Sequence, residues 1–244
     1  RKYYFQKGIT WSLFGFENFG VRYKDYGYVF DVSGSSMFPD EENIYYVIGY
    51  LCSNVAFKFL SYLAPTVNFQ VGNISSLPFR IEEKYREKIN NLVEENIEIC
   101  KEEWSFNEIS LDFKVHPLLK KEFKKNSLKN TVKKFEKYYN ILRNKLRKNE
   151  EELNKIYSQI FNEEIDYKVC DRDLTLKEFD EQNLLKSFVS YSVGCMFGRY
   201  SLDLEGVIFA GNKFNSKNYK SFKPVEKINS QIFAKNFKIF LINS

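Results

Sequence analysis

The apolar residues of this chain change their spacing once, near Asn43, and that change decides the fold class. Before it, Trp11-Ser12-Leu13-Phe14-Gly15-Phe16, Val21-Arg22-Tyr23-Lys24 and Tyr28-Val29-Phe30-Asp31-Val32 alternate at period two. Gly15, Gly20, Gly27 and Gly34 cut these runs into short strands with tight turns. After it, Ile44, Val47, Ile48, Leu51, Val55, Phe59 and Leu63 recur at helical spacing, apolar around much of the circumference. That spacing predicts a buried helix ended at Ala64-Pro65. Residues 66–74 read as extended, Leu77-Pro78-Phe79 turns the chain, and Ile81 to Trp104 reads as a charge-rich amphipathic helix. Residues 115–160 also read as helical, and a polar segment over 166–180 holds a turn. A further apolar helix carries Leu184, Leu185, Phe188, Val189, Tyr191, Val193 and Met196, and the tail from Gly206 reads as loop. Strands first and helices afterwards make an α+β chain. The expected architecture is a small β-rich domain with a buried helix over 1–80, a long helical spacer over 81–110, and a predominantly helical domain over 111–244.

Composition excludes several classes of function. The 244 residues supply ample core, so no staple is needed. Cys52, Cys100, Cys170 and Cys195 lie far apart without a Cys-x-x-Cys pair, and there is one histidine, so no zinc ligand set can be assembled and no metal is expected. Four reduced, buried thiols in a cytoplasmic protein are the simpler reading. No apolar run reaches the roughly 18 residues of a membrane span, and Arg1-Lys2-Tyr3-Tyr4 opens no signal peptide. A start without methionine, inside a strand-like pattern, reads as a piece of a longer polypeptide. There is no glycine-rich phosphate loop, nucleophile elbow or metal-binding His pair. His116, before Pro117, shows no orienting partner in sequence and reads as structural or surface. The acidic pairs Glu82-Glu83, Glu94-Glu95 and Glu163-Glu164 read as solvated helix faces. No catalytic residue is assigned.

Binding chemistry is better represented. The net charge is +5, mildly basic. The first forty residues interleave Trp11, Phe14, Phe16, Tyr23, Tyr26 and Tyr28 with Arg1, Lys2, Lys7, Arg22 and Lys24, and add Ser33-Gly34-Ser35-Ser36. Arg and Lys neutralise phosphates or grip guanine edges, hydroxyls hold phosphate oxygens, and Asn or Gln pairs with adenine. The candidate polar contacts are therefore Ser12, Arg22, Lys24, Ser35, Ser36, Gln70 and Asn73. Against this, the aromatics also suit the core of a small β fold, and Arg22 beside Tyr23 suits a buried ion pair or a stacking role. Lysines and arginines crowd between Lys120 and Lys148, opposed in sequence only by Glu122 and Glu136. On one helix this would be either a solvated face or a phosphate-tracking surface, with Lys124, Lys125, Lys133 and Lys134 as its contacts.

Seven stretches, in order, then carry a resemblance. They are Gly8-Ile9-Thr10-Trp11, Val21-Arg22-Tyr23, Phe30-Asp31-Val32-Ser33-Gly34-Ser35, Asn68 to Ile74 with Leu77-Pro78-Phe79, Asp112 to Leu119, Asn149 to Asn154, and Val193 to Asp203. In this order they resemble the C-terminal half of the PglX-type adenine-specific DNA methyltransferases of BREX phage-defence systems and related type IIG restriction-modification enzymes. The resemblance runs to about Gly211, and departs after about Tyr219, where the family's acidic helical segment gives way to Lys223, Lys227, Lys235 and Lys238.

The resemblance implies that residues 1–80 are a DNA target-recognition domain. It places them after an S-adenosylmethionine-binding catalytic domain that flips adenine and methylates N6. The Asn-Pro-Pro-Tyr and cofactor motifs of that domain have no counterpart here, so the cofactor is expected in the parent enzyme and not in this part of it. The implied partners are double-stranded DNA and the catalytic domain of the same polypeptide, with other defence-system subunits next. A different class of function stays open: the helices over 81–104 and 115–160 could form a scaffolding arm that docks another subunit. An independent nuclease finds little support, since the carboxylates are scattered rather than clustered near a lysine.

Overall fold

The chain is described by a computed structural model over residues 2–15, 19–64, 68–211, 213–225, 235–238 and 240–241. Arg1, Phe16, Pro65, Thr66, Val67 and Lys227 lie outside the described residues. The α+β expectation holds: a three-stranded antiparallel sheet is followed by helices. The strands are β1 (Gly8–Thr10), β2 (Arg22–Lys24) and β3 (Ser36–Met37), in the order β2-β1-β3. The helices are α1 (Ile44–Leu51), α2 (Asn54–Leu63), α3 (Val71–Ser75), α4 (Glu83–Trp104), α5 (Leu128–Phe161) and α6 (Glu181–Met196). No single helix among the described residues is long and apolar enough to cross a membrane.

Local chemistry explains where the elements depart from the periodicity. Tyr28 to Val32 is not a strand, because Asp31 Oδ1 accepts from Ser33 N at 2.9 Å and Gly34 N at 3.1 Å, pulling the chain into an Asx turn. The helix predicted over 43–63 breaks into α1 and α2, bent by 74°. Ser53 does this: its Oγ donates to Tyr50 O at 2.6 Å and accepts from Ala56 N at 3.3 Å, closing one helix and capping the next. Residues 71–74, read as extended, belong to α3, because Asn73 Oδ1 accepts from Gln70 N at 3.0 Å. The helix predicted over 115–160 starts only at Leu128. Pro117–Leu119 is a single 3-10 turn, and the start of α5 is capped by Ser127 Oγ, which accepts from Asn130 N at 3.3 Å. Asp180 caps α6 in the same way, accepting from Asn183 N at 3.0 Å.

The chain forms two compact units, Arg1–Cys100 with Arg143–Lys177, and Lys101–Leu142 with Glu178–Ser244. These units are packing units, different in kind from a functional partition at 80 and 110. In the first unit, Ile9 and Trp11 from the sheet region join Tyr46 and Tyr50 of α1, Ile89 of α4 and Tyr157 of α5 in one core. Gly49 allows α1 to approach closely, since a Cβ there would lie 3.0 Å from both Tyr157 Oη and Val93 Cγ2. Tyr157 Oη, fully buried, donates to Tyr46 O at 2.7 Å. Burial of each such side chain stabilises the unit by about 1.5–3 kcal/mol. In the second unit Phe113, Phe123, Phe135, Phe188, Tyr191 and Met196 form a separate core.

His116 packs against that second core, its ring centroid 5.1 Å from that of Phe188, and is fully buried. Nδ1 accepts from Leu118 N at 3.3 Å, so the ring proton sits on Nε2, which donates to Ser187 Oγ at 2.9 Å. Burial holds its pKa down at about 3, so the imidazole is neutral and structural. None of the four cysteines is in a disulfide, and they are not all buried as expected: Cys195 is buried, Cys100 half-buried, and Cys52 and Cys170 exposed.

Candidate nucleic-acid interface

The register of the sheet sets one row of side chains. Thr10 of β1 pairs with Arg22 of β2 and with Ser36 of β3. Residues directly opposite share a face, so Arg22, Thr10 and Ser36 lie side by side on the face away from Ile9, which is buried in the core. Arg22 is exposed and Ser36 half-buried.

Beyond this row, three loops run together. Trp11 N donates to Ser35 O at 3.1 Å, Leu13 N to Ser33 O at 3.2 Å, and Phe69 N to Leu13 O at 2.8 Å. The indole Nε1 of buried Trp11 donates to Phe69 O at 2.9 Å, and Phe14 bridges to Asn68. Ser12 and Gln70, far apart in sequence and both exposed, are thereby brought to one loop cluster continuous with the Arg22 row. Phe14, 61 % exposed, and Val32, 77 % exposed, project from the same loops.

The other candidates of this region are committed to building the cluster. Ser35 is buried, with Oγ donating to Val32 O at 3.2 Å, and Ser36 Oγ donates to Gly34 O at 3.3 Å. Thr10 Oγ1, which sequence reasoning missed, donates to Ser35 O at 3.0 Å, and only the sheet register could have pointed to it. Asn73 spends Oδ1 on Gln70 N and donates Nδ2 to Leu63 O at 3.3 Å. Lys24 is buried: its Nζ donates to Gln6 O at 2.7 Å and lies 5.0 Å from the Phe38 ring centroid and 5.7 Å from that of Phe30. Burial lowers its pKa, and the ammonium serves the packing of the aromatic segment instead of the surface that Arg22 occupies.

The basic run divides. Lys124 and Lys125 precede α5, Lys133 and Lys134 lie in its first turns, and all four are exposed in the second unit. Lys125 N donates to Thr131 Oγ1 at 3.0 Å, fastening the segment to the helix, and Lys134 Nζ donates to Glu122 O. Further along, in the first unit, the expectation that only Glu122 and Glu136 oppose the run is corrected. Arg143 and Arg147 both donate to Asp171 Oδ1, and Lys145 pairs with Glu95 of α4 at 2.5 Å. Those carboxylates are distant in sequence, so no local charge count could find them. Among the described residues, no group of three or more His, Cys, Asp or Glu could hold a metal ion.

No family model matches the chain. It is 31% identical over 229 residues to the adenine-specific methyltransferase PglX of Lacticaseibacillus casei (strain Zhang), a match covering 91% of this chain and 19% of that protein. It is 29% identical over 232 residues to the adenine-specific methyltransferase BrxX of Escherichia coli O9:H4 (strain HS), covering 86% of this chain and again 19% of the relative. The chain therefore spans about a fifth of the length of these relatives. The resemblance read from the seven stretches is sustained along almost the whole chain, which is a homologue of one segment of the PglX and BrxX adenine-specific methyltransferases.

Proposed function

We propose that this chain is the DNA-sequence-recognition region of an S-adenosylmethionine-dependent adenine-N6 DNA methyltransferase of a BREX-type or restriction-modification system, working in the cytoplasm. Methyl transfer and cofactor binding belong to the catalytic domain of the same polypeptide, and residues 1–80 are the target-recognition domain. The observation that carries this reading is the loop cluster. Ser12, Arg22 and Gln70 are exposed, and backbone hydrogen bonds and strand pairing join the segments that carry them, in a chain similar to adenine-specific methyltransferases. Arg can take a guanine edge bidentately, Gln can take adenine, and a hydroxyl takes either a base or a phosphate. The lysines at 124, 125, 133 and 134 add affinity through phosphates without reading sequence. The test is electrophoretic or anisotropy binding to duplexes carrying the methylated site of the source genome. Arg22→Ala and Gln70→Ala should each cost about 1–3 kcal/mol of discrimination for that site while binding to other duplexes is retained. A folded chain that binds no duplex at low salt would refute the reading.

A second reading, a scaffolding region that docks another subunit of the defence complex, is favoured by Ile109 and Leu111, which are 80 % and 88 % exposed. It predicts stable association with a partner protein and loss of that association, with DNA binding intact, on Ile109→Ser/Leu111→Ser.

A further inference from the structure

Gly8, the first residue of β1, does more than start a strand. It pairs with Lys24, two residues along both strands from the pair of Thr10 and Arg22, so Gly8 and Lys24 lie on the same sheet face as the Arg22 row. The ring of Phe38 covers Gly8: a Cβ there would come 2.6 Å from Met37 O and 2.9 Å from Phe38 Cδ1, so only glycine admits the ring. From Phe38 a series of rings continues. Tyr3 stacks on Phe38 with centroids 5.0 Å apart, and Phe30 packs on Phe38 at 5.3 Å. Tyr4 follows on Phe30 at 5.3 Å, and Phe5 on Tyr4 at 6.4 Å.

Phe30 and Phe38 are half-buried, but Tyr3, Tyr4 and Phe5 are 43 %, 37 % and 59 % exposed. A core would hide them. Phe5 is also held at φ +66°, a conformation that bulky side chains rarely adopt. Two backbone bonds keep it there: Phe5 N donates to Tyr28 O at 3.0 Å, and Phe5 O accepts from Gly27 N at 3.2 Å. Residues held in such conformations gather at ligand contacts, and here the strain places a large ring in solvent instead of in the core.

The charges along this face select the occupant. Arg22 is exposed on the same sheet face, and Lys2 Nζ lies 4.7 Å from the Tyr3 ring centroid. Lysine is depleted from the centre of protein interfaces, whereas exposed rings bordered by cations are the composition of surfaces that hold unpaired nucleotides. There the ring takes the base and the cation takes the phosphate. We propose that Tyr3, Tyr4 and Phe5 form a stacking platform for an unpaired base of the DNA bound along the Arg22 row. The proposal rests on the reading of this chain as a DNA-recognition region.

Two probes test it: a fully paired duplex carrying the methylated site of the source genome, and the same duplex with one extra, unpaired 2-aminopurine beside the site, placed on each side in turn. The chain should bind the second probe about tenfold more tightly on one of the two sides, because that base is already unstacked. The 2-aminopurine fluorescence should be quenched as the base stacks on a ring. Phe5→Ala and Tyr4→Ala should bring the preference toward one, while Phe5→Trp, which keeps a ring, should retain it. Phe5→Gly accepts a positive φ freely, so it should lose the preference with a Tm no lower than that of the natural chain, which separates the ring from folding. Equal affinity for the two probes, with site discrimination through Arg22 intact, would overturn the platform and leave the recognition reading standing. Ring variants that leave both affinities unchanged but release a bound protein would also overturn it, assigning the face to a protein partner. A folded chain that binds neither probe would remove the recognition reading and the platform together.

Discussion

His116 should make the second unit progressively less stable in acid, and the size of the effect follows from its surroundings. In the folded chain Nδ1 faces the Leu118 amide, so a proton added there would meet another donor, and burial holds the pKa near 3. In the unfolded chain the imidazole returns to its ordinary value of 6.5. Between those values only the unfolded state takes up the proton, so stability falls as pH falls: it is complete above about 6.5 and is lost progressively toward 3. Each pH unit in that window is worth about 1.4 kcal/mol, so lowering the pH from 7 to 5 should remove about 2 kcal/mol. Burial raises the pKa values of Glu103, Glu108 and Glu150, and these act in the opposite direction. The quantity to measure is therefore the difference between the natural chain and His116→Gln in urea unfolding at pH 7, 6 and 5. It should shrink by about 2 kcal/mol from pH 7 to 5, from a higher starting stability of the natural chain. Because the chain has one histidine, its ring signals in NMR are unambiguous. A ring that titrates near pH 6.5 in the folded chain, or a difference independent of pH, would refute the argument.

Three more outcomes are expected. Glu150 is pushed up to about 7 by burial and then by Asp173. Its folded-state penalty thus grows as pH rises from 4.5 to 7, and Glu150→Gln should be stabilising at pH 8, by up to about 3 kcal/mol, with no gain at pH 4 in urea unfolding. Gly49→Ala places a methyl 3.0 Å from Tyr157 Oη and Val93 Cγ2, and should destabilise the first unit by about 1–3 kcal/mol in denaturant titration. If the proposed role is correct, alanine at Lys124, Lys125, Lys133 and Lys134 should flatten the plot of log K against log salt for duplex binding by about 0.9 for each phosphate no longer neutralised, and an unchanged slope removes these lysines from the interface.

What could be read from the sequence was whatever is fixed by short-range pattern. The helical spacing over 81–104 predicted α4 to within its first turn, and the Leu184 to Met196 pattern located α6, because an amphipathic or apolar helix writes its period directly into the chain. Ser53, Asp31 and Ser127 escaped because a side chain bonding to backbone two or three residues away competes with periodicity without altering it. The site was legible by residue type but not by arrangement. Nothing local reveals that Phe69 N reaches Leu13 O, or that Lys24 is covered by Phe30 and Phe38 while Arg22, two residues away on the same strand face, stays exposed.

That arrangement bears on how a recognition surface of this kind could change its target. Of the polar side chains gathered around the loops, Thr10, Ser35, Ser36 and Asn73 are spent on backbone groups, so replacing any of them alters loop shape before it alters a contact. Ser12, Arg22 and Gln70 are exposed and sit on backbone that others hold. On the proposed reading, substitutions at these three positions would change which base pairs are preferred while folding stability stays within about 0.5 kcal/mol, the ordinary range for surface positions. Substitutions at Thr10 or Ser35 would instead lower stability and weaken binding to every duplex together. The two sets can be separated by measuring urea unfolding and duplex preference on the same variants. A Thr10→Val chain that kept full stability and switched its preferred site would show that the division between scaffold and reader is drawn in the wrong place.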